Sequence, residues 1–159
     1  AKKATAYYRE RYSDVGKYEN MPYPGIKELL KNLKAAGYIL AVASSKPEIY
    51  VEDILKHFEL YDYFHYVAGS DMEGKRGEKE DVIEEAFARM GLGPEERKKT
   101  AVMVGDRHFD INGAKFFGID SIGVTYGFAK DGELQDAGAT FVVNTVEELQ
   151  ELLLSKKAD

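Results

Sequence analysis

The sequence predicts an α/β domain in which helices cover both faces of a parallel β-sheet. Short continuous apolar runs, such as residues 38–43 and 101–104, are typical of strands that are buried on both faces. Segments with apolar residues at helical spacing alternate with these runs, which is typical of a parallel sheet. Because the chain has 159 residues, it can bury one substantial core, and a single main domain is expected.

The first part of the chain is predicted to lie outside this core. Residues 2–12 are expected to form a helix, and the polar residues 13–23 a linker. The predicted domain boundaries follow from this change of pattern, with a short first segment over residues 1–20 and a core domain over residues 21–159.

The first half of the core is predicted to run helix, strand, helix. The first helix opens at Pro24 and ends at Gly37, because proline is favoured in a first helical turn and glycine just past the last one. Residues 38–43 form the strand. Residues 44–47 then turn the chain into a second helix that ends near Phe58.

The second half continues the alternation to the end of the chain. Four more strands are predicted, over residues 65–68, 100–104, 121–125 and 140–143. The helices between them are expected to close at Gly91 and near Phe117. Thr145 and Glu148 have the spacing of a capping box, which predicts where the terminal helix begins.

Composition excludes several classes of function. The net charge is −6 with no basic stripe, so a nucleic acid polymer is not an expected partner. No apolar run approaches the roughly 18 residues of a membrane span, so no membrane association is expected. The absence of cysteine excludes disulfides, thiolate zinc sites and thiol nucleophiles from this sequence, and it agrees with a cytoplasmic location.

Two aspartates stand directly behind the predicted strand at residues 100–104. Asp106 follows Gly105, and Asp110 comes four residues later, with His108 between them and expected to be exposed. Ligands of α/β sheets bind at the carboxyl ends of strands, and two carboxylates there suit Mg²⁺. The alternative is that Asp106 or Asp110 merely caps the next helix, and the spacing alone leaves both interpretations open.

Three other residues are candidates for binding phosphate. Ser44 stands where the strand at residues 38–43 ends, and its hydroxyl and the nearby N–H groups could hold a phosphate oxygen. Simple capping of the next helix by Ser44 or Ser45 is the alternative, and the spacing favours it. Lys79 opens a helix, where a cation opposes the helix dipole and can mark a functional site, although a solvated lysine is the simpler interpretation.

Taken in order, these residues resemble the haloacid dehalogenase superfamily, and specifically its phosphatases of the phosphoglycolate phosphatase and 5′-nucleotidase-like type. The resemblance covers residues 23–153 and is carried by four stretches, Tyr23–Gly25, Ala43–Pro47, Val104–Lys115 and Gly118–Val124. It implies a Rossmann-like parallel sheet flanked by helices. It also implies a Mg²⁺-dependent hydrolase of a phosphomonoester, with a small phosphorylated metabolite or nucleotide as substrate.

The resemblance further implies a role for each candidate residue. Ser44, with Ser45, would hydrogen-bond the phosphoryl group that is transferred, and Lys79 would neutralise its charge. Asp106 and Asp110 would bind Mg²⁺, directly or through water. These roles are physically reasonable, because phosphoryl transfer depends mainly on positioning and on charge stabilisation by cations and hydrogen-bond donors.

The chain departs from the family pattern at its first motif. That motif, Asp-x-Asp-Gly-Thr, supplies the nucleophile at the end of the central first strand, and no Asp-x-Asp occurs in the 159 residues. We therefore expect a C-terminal fragment, inactive alone, whose residues 1–20 are the remnant of a helical cap. The missing strand would lie between the strands at residues 38–43 and 100–104. Those two strands would either pair directly with each other or leave unpaired groups between them, each costing roughly 1–3 kcal/mol if buried, which would favour self-association.

Two other functions are compatible with parts of the pattern. A non-catalytic remnant or phosphate-binding module would keep the candidate residues and lack the nucleophile. A receiver-like signalling domain also gathers aspartates on a parallel sheet, but it requires an acidic pair after its first strand and a phosphorylatable aspartate after its third. Neither of those features is present in the predicted elements.

Overall fold

The structure is a computed structural model that describes residues 22–158. The helix and linker predicted before Pro22, and the domain segment over residues 1–20, lie outside the described residues. The strands are β1 (Ala41–Pro47), β2 (Tyr66–Ser70), β3 (Val102–Gly105), β4 (Asp120–Val124) and β5 (Phe141–Val143). The helices are α1 (Ile26–Ala35), α2 (Glu48–His57), α3 (Lys79–Met90), α4 (Pro94–Thr100), α5 (His108–Phe117), α6 (Glu133–Ala137) and α7 (Val146–Ala158), with a 3₁₀ turn at Tyr61–Tyr63.

The strands form two parallel sheets. β1 pairs with β2, and β3, β4 and β5 pair in that order, all in parallel. The prediction of parallel strands flanked by helices is therefore confirmed. Within residues 22–158, β1 does not pair with β3. Each of these two strands therefore presents an edge that has no strand partner in the described part of the chain.

The exposure of the strands is the reverse of that in a continuous sheet. The neighbours β2 and β4 are buried, with Ala68 and Ile122 at 0% exposure. β1 and β3 are partly exposed, and Val104 in β3 is 39% exposed. Partial exposure is expected of strands that each have one edge without a strand partner among residues 22–158.

Helices α3 and α5 connect the two sheets. On one face α3 packs against β1 and β2, α5 packs against β3 and β4, and the two helices contact each other. Ile83 and Phe87 of α3 share a core cluster with Ala114 and Phe117 of α5. The second cluster joins α1 to α7 and reaches the second sheet; its buried members include Leu29, Leu33, Ile122, Leu149 and Leu153.

The largest difference from the predicted elements is at β1. It begins at Ala41 rather than residue 38, because the N–H of Leu40 donates to Nδ1 of His65 and its carbonyl accepts from the His65 N–H, both outside the strand ladder. β1 then extends to Pro47, through residues that were expected to form a turn. The short helices α4 and α6 were not predicted, because neither is long enough to show an apolar period.

The terminal helix begins as the capping box predicted. The N–H of Glu148 donates to Oγ1 of Thr145 at 3.0 Å, and the Glu148 carboxylate accepts from the N–H of Asn144 at 2.7 Å. Residues 22–158 contain no helix that is both long and apolar enough to cross a membrane.

Candidate functional site

The candidate residues lie at the carboxyl ends of β1 and β3. Each strand runs parallel to its own neighbour, and the contacts of Lys79 bring Ala43 of β1 close to Asp110, which follows β3. Ser44 lies in β1, and Asp106 follows the last residue of β3. Lys79 is the first residue of α3, and Asp110 lies in the first turn of α5.

Lys79 connects the two halves of this region. Its Nζ lies 2.8 Å from Oδ1 of Asp110 and donates a hydrogen bond of 2.8 Å to the carbonyl of Ala43 in β1. The side chains of Lys79 and Asp110 are only 15% and 11% exposed. The interpretation of Lys79 as a solvated lysine is therefore wrong, because its ammonium group is directed into the region between β1 and α5.

Asp110 shapes the loop that precedes α5. Its Oδ2 accepts hydrogen bonds from the N–H groups of Asp106 and Arg107, each at 3.1 Å. Since Arg107 is the N-cap residue of α5, Asp110 caps the helix as the simpler interpretation predicted. The ion pair with Lys79 uses its other oxygen. A side chain at Gly105 would collide with the Asp110 side chain, so only glycine fits there.

Asp106 is held from the opposite direction. Its Oδ2 accepts a hydrogen bond of 2.9 Å from the N–H of Phe128, in the loop after β4. Gly127 in the same loop lies so close that a Cβ there would collide with the Asp106 side chain. Two loops, after β3 and after β4, therefore fix the position of this carboxylate.

Ser44 lies in an irregular part of β1. The pairing with β2 shifts between Ala43 and Pro47, and Oγ of Ser44 accepts from the N–H of Lys46 at 3.2 Å. Helix α2 begins at Glu48 with Pro47 in the N-cap position and no side-chain cap. The expectation that Ser44 or Ser45 caps this helix is therefore wrong, because the strand continues through both residues. Ser45 is exposed.

The two aspartates suit a hard divalent cation chemically but do not form a complete site. Carboxylate oxygens are the ligands that Mg²⁺ prefers. Among residues 22–158, however, no group of three or more histidine, aspartate or glutamate side chains is placed to hold a metal ion. Both oxygens of Asp110 already have partners, whereas the hydrogen bond to Asp106 uses only Oδ2. A bound Mg²⁺ would therefore need further oxygen ligands.

A glutamate that the sequence did not indicate stands beside this loop. Oε1 of Glu133 accepts from Nε of Arg107 at 2.8 Å and from the N–H of His108 at 2.9 Å, and lies 2.7 Å from Nδ1 of His108. The hydrogen bond from Arg107, followed by those from His108 and Lys130, holds the pKa of Glu133 well below its ordinary value. The His108 side chain is 38% exposed, and its ring also contacts Glu133.

A second network of charged side chains is centred on Glu48, the first residue of α2. The Glu48 carboxylate accepts from the N–H of Gly69 at 3.0 Å, from Arg89 at 3.0 Å and from Arg76 at 3.2 Å. Burial alone would raise the pKa of Glu48, but the hydrogen bonds from Arg89 and Gly69 outweigh it and lower that pKa. The network joins the start of α2, the end of β2 and helix α3, which carries Lys79.

Exposed apolar side chains occur at the same end of the strands. Ile49 and Phe109 lie in the first turns of α2 and α5, Met72 follows β2 and Phe128 follows β4. Their exposures lie between 47% and 71%. Each follows the carboxyl end of a strand, so the polar residues described above are bordered by apolar ones.

Comparisons with known proteins agree with this arrangement. Residues 1–124 match a family described as haloacid dehalogenase-like hydrolase. A 5′-nucleotidase of Pseudomonas aeruginosa is 37% identical over 152 residues, covering 96% of this chain and 67% of that protein. The tyrosine-protein kinase PtkA of Mycobacterium tuberculosis is 39% identical over 155 residues, and the chain spans only 52% of its length.

A solved structure shows the same fold. The crystal structure of a predicted phosphatase from Clostridium acetobutylicum superposes with a TM-score of 0.90 at 43% identity, covering 96% of this chain and 68% of that one. The likeness therefore extends over nearly the whole chain described here, but over about two thirds of the solved protein.

Proposed function

The chain belongs to the haloacid dehalogenase-like hydrolase family, and on this premise we propose that its residues form part of the active site of a Mg²⁺-dependent phosphomonoester hydrolase. The proposed substrate is a small phosphorylated metabolite or nucleotide, as for a phosphoglycolate phosphatase or a 5′-nucleotidase. The observation that carries the proposal is the position of Lys79, whose ammonium group joins β1 beside Ser44 to the carboxylate of Asp110.

Each candidate residue has a proposed role in that site. Ser44 and Ser45 lie in the irregular part of β1 and would donate hydrogen bonds to the phosphoryl oxygens. Lys79 would stabilise the negative charge that the phosphoryl group brings. Asp106 would bind Mg²⁺, and Asp110 would act directly or through water while it holds the loop. The metal would supply charge stabilisation and a template for the phosphate.

The nucleophile would have to come from outside the printed sequence. No Asp-x-Asp occurs in the 159 residues, and the family reaction requires an aspartate to attack phosphorus. The unpaired edges of β1 and β3 support the proposal that a further strand belongs between them. The carboxyl end of a parallel strand in that position would be next to Lys79 and Asp106.

The missing aspartate favours a second candidate for the 159 residues by themselves, namely phosphate binding without turnover. Both candidates use the same residues, and they differ only in whether a covalent step can follow. The proposals of cytoplasmic location and of self-association through the open strand edges accompany either candidate.

Binding of inorganic phosphate tests the proposed pocket directly. In amide NMR spectra recorded with Mg²⁺, phosphate should shift the signals of residues 44–46 and 106–110. Lys79→Met should abolish these shifts, whereas Lys75→Met, whose side chain is 80% exposed, should leave them unchanged. Shifts that persist in Lys79→Met, or that appear elsewhere in the spectrum, would contradict the proposed site.

A further inference from the structure

Glu133 lies next to residues 106–110, which connect β3 to the first turn of α5 and are named here the aspartate loop. We infer that Glu133 is a positioning residue that holds the aspartate loop in the shape its carboxylates need to bind a cation. This inference rests on the proposed function, because it assigns Glu133 a role in the same metal site.

The contacts of Glu133 fall on the middle of the aspartate loop. Asp110 fixes the start of the loop from within, through the N–H groups of Asp106 and Arg107. Glu133 fixes the next part from outside, through Nε of Arg107 and both the N–H and Nδ1 of His108. The two carboxylates thus hold successive residues of one short loop, and neither could replace the other.

Burial indicates that Glu133 is the anchor and its partners are held by it. Its side chain is 12% exposed, whereas those of Arg107 and His108 are 36% and 38% exposed. Leu134, the next residue of α6, is 1% exposed in the core. Oε2 of Glu133 also accepts from the N–H of Lys130 at 3.1 Å. The Glu133 carboxylate is therefore held in place by α6 and by the loop that precedes α6, in addition to its contacts with the aspartate loop.

The charge of Glu133 gives a second reason for this role. Arg107 lies between two carboxylates and interacts electrostatically with Asp106 and Asp110. A guanidinium group that turned towards them would compete with a metal cation for the same oxygens. The hydrogen bond of 2.8 Å from Nε of Arg107 to Glu133 engages the guanidinium group with a carboxylate that is not one of the proposed metal ligands. The carboxylate also lies at the N-terminus of α5, where negative charge is favourable.

The test uses Mg²⁺ as the probe and amide NMR as the measurement. Glu133→Gln keeps the size of the side chain and removes its charge. It should weaken Mg²⁺ binding at the aspartate loop about tenfold, the low end of the loss typical when a residue that supports metal ligands is changed. The shifts that the substitution itself causes should concentrate on residues 106–110.

Glu148→Gln is the matched control. Glu148 is also a first-turn glutamate that accepts a loop N–H, from Asn144 at 2.7 Å, but it does not contact the aspartate loop. It should leave Mg²⁺ affinity unchanged. If Glu133→Gln does not fold, Glu133→Asp provides the same test, because the shorter side chain cannot reach both Arg107 and His108.

The outcomes separate the inference from the proposed function. Mg²⁺ affinity in Glu133→Gln within twofold of the unaltered chain, with Asp106→Asn weakened, would overturn the role of Glu133 and keep the metal site. Unchanged affinity in Asp106→Asn would overturn the metal site itself. An equal loss in Glu133→Gln and Glu148→Gln would indicate a general loss of structure and would also overturn the positioning role.

Discussion

The ammonium group of Lys79 and the carboxylate of Asp110 form an ion pair of 2.8 Å that is largely shielded from water and joins helices α3 and α5. Because the same ammonium group donates to the carbonyl of Ala43, this pair also connects the two sheets. The pair therefore has a structural and a proposed chemical role, and the two can be measured separately.

The structural role predicts a loss of stability in Lys79→Met. The substitution leaves the Asp110 carboxylate without its cation, although two N–H donors remain. The free energy of unfolding in urea should fall by about 1–3 kcal/mol. Lys79→Met/Asp110→Asn should lose about 1 kcal/mol less than the sum of the single variants. Strict additivity would mean that the pair contributes no stability.

The 159-residue chain should bind Mg²⁺ weakly. Two aspartates are too few for a cation that favours six oxygen ligands, so affinity by titration should be no better than millimolar. Asp106→Asn/Asp110→Asn should abolish it. The control Asp62→Asn/Asp120→Asn removes the same charge at two exposed positions away from the aspartate loop and should preserve binding. Tight binding that survives the first double substitution would place the metal elsewhere.

The 159 residues should show no phosphatase turnover above background on an aryl phosphate with Mg²⁺. The reason is chemical, because Lys79 and the two aspartates stabilise charge but do not attack phosphorus. Fusion to an N-terminal segment that carries Asp-x-Asp-Gly-Thr and a cap should restore activity. Lys79→Ala in that fusion should remove most of it. Hydrolysis by the unaltered chain that depends on Ser44 or His108 would mean that a different reaction operates.

Acid should destabilise the protein partly through Glu48. Its pKa lies below the ordinary value of 4.5, so protonation is less favourable in the folded than in the unfolded state. The stability that the Glu48 carboxylate contributes is fully present above its ordinary pKa of 4.5. It is lost as the pH falls through the lowered pKa of the folded state. The melting temperature of Glu48→Gln should therefore decrease less steeply with falling pH than that of the unaltered chain. Glu95→Gln, at a side chain 83% exposed, should follow the unaltered chain.

Self-association should depend on the open edges of β1 and β3. Exposed strand edges pair with other chains, and a charged side chain on the edge opposes this. Val104→Lys, on the partly exposed strand β3, should shift sedimentation velocity profiles towards monomer. Ile49→Lys is the control, because it alters an equally apolar exposed residue on a helix. Equal effects of both substitutions would indicate non-specific association through apolar surface.

Local sequence pattern was enough to predict Asp106, Asp110 and Lys79 as candidate site residues. Asp106 and Asp110 follow an apolar run, and Lys79 stands out because it opposes the helix dipole, so each leaves a local signal. The contact between Lys79 and Asp110 leaves none, since it depends on how α3 packs against α5. The family resemblance, and not local pattern, predicted a missing strand between β1 and β3 but left open whether the two strands pair directly; within residues 22–158 they do not.

The two glutamates that organise the site could not be found from sequence. Glu48 and Glu133 each open a helix, where an acidic residue is ordinary. Their partners lie 21 to 41 and 25 to 26 residues away along the chain, respectively, and only the fold brings them together. Gly69 could have indicated the contact with Glu48, because the Glu48 backbone lies so close to Gly69 that a side chain there would collide with it.

Gly105 and Gly127 restrict the side-chain conformations of Asp110 and Asp106, respectively. The Asp110 side chain packs against the backbone of Gly105, and the Asp106 side chain packs against that of Gly127, so closely that a Cβ at either glycine would collide with the aspartate. An arriving ligand then meets carboxylates that are already preorganised, and little further ordering opposes its binding. An alanine at either position should weaken Mg²⁺ binding at the proposed site without removing a ligand atom, because it would displace the aspartate side chain.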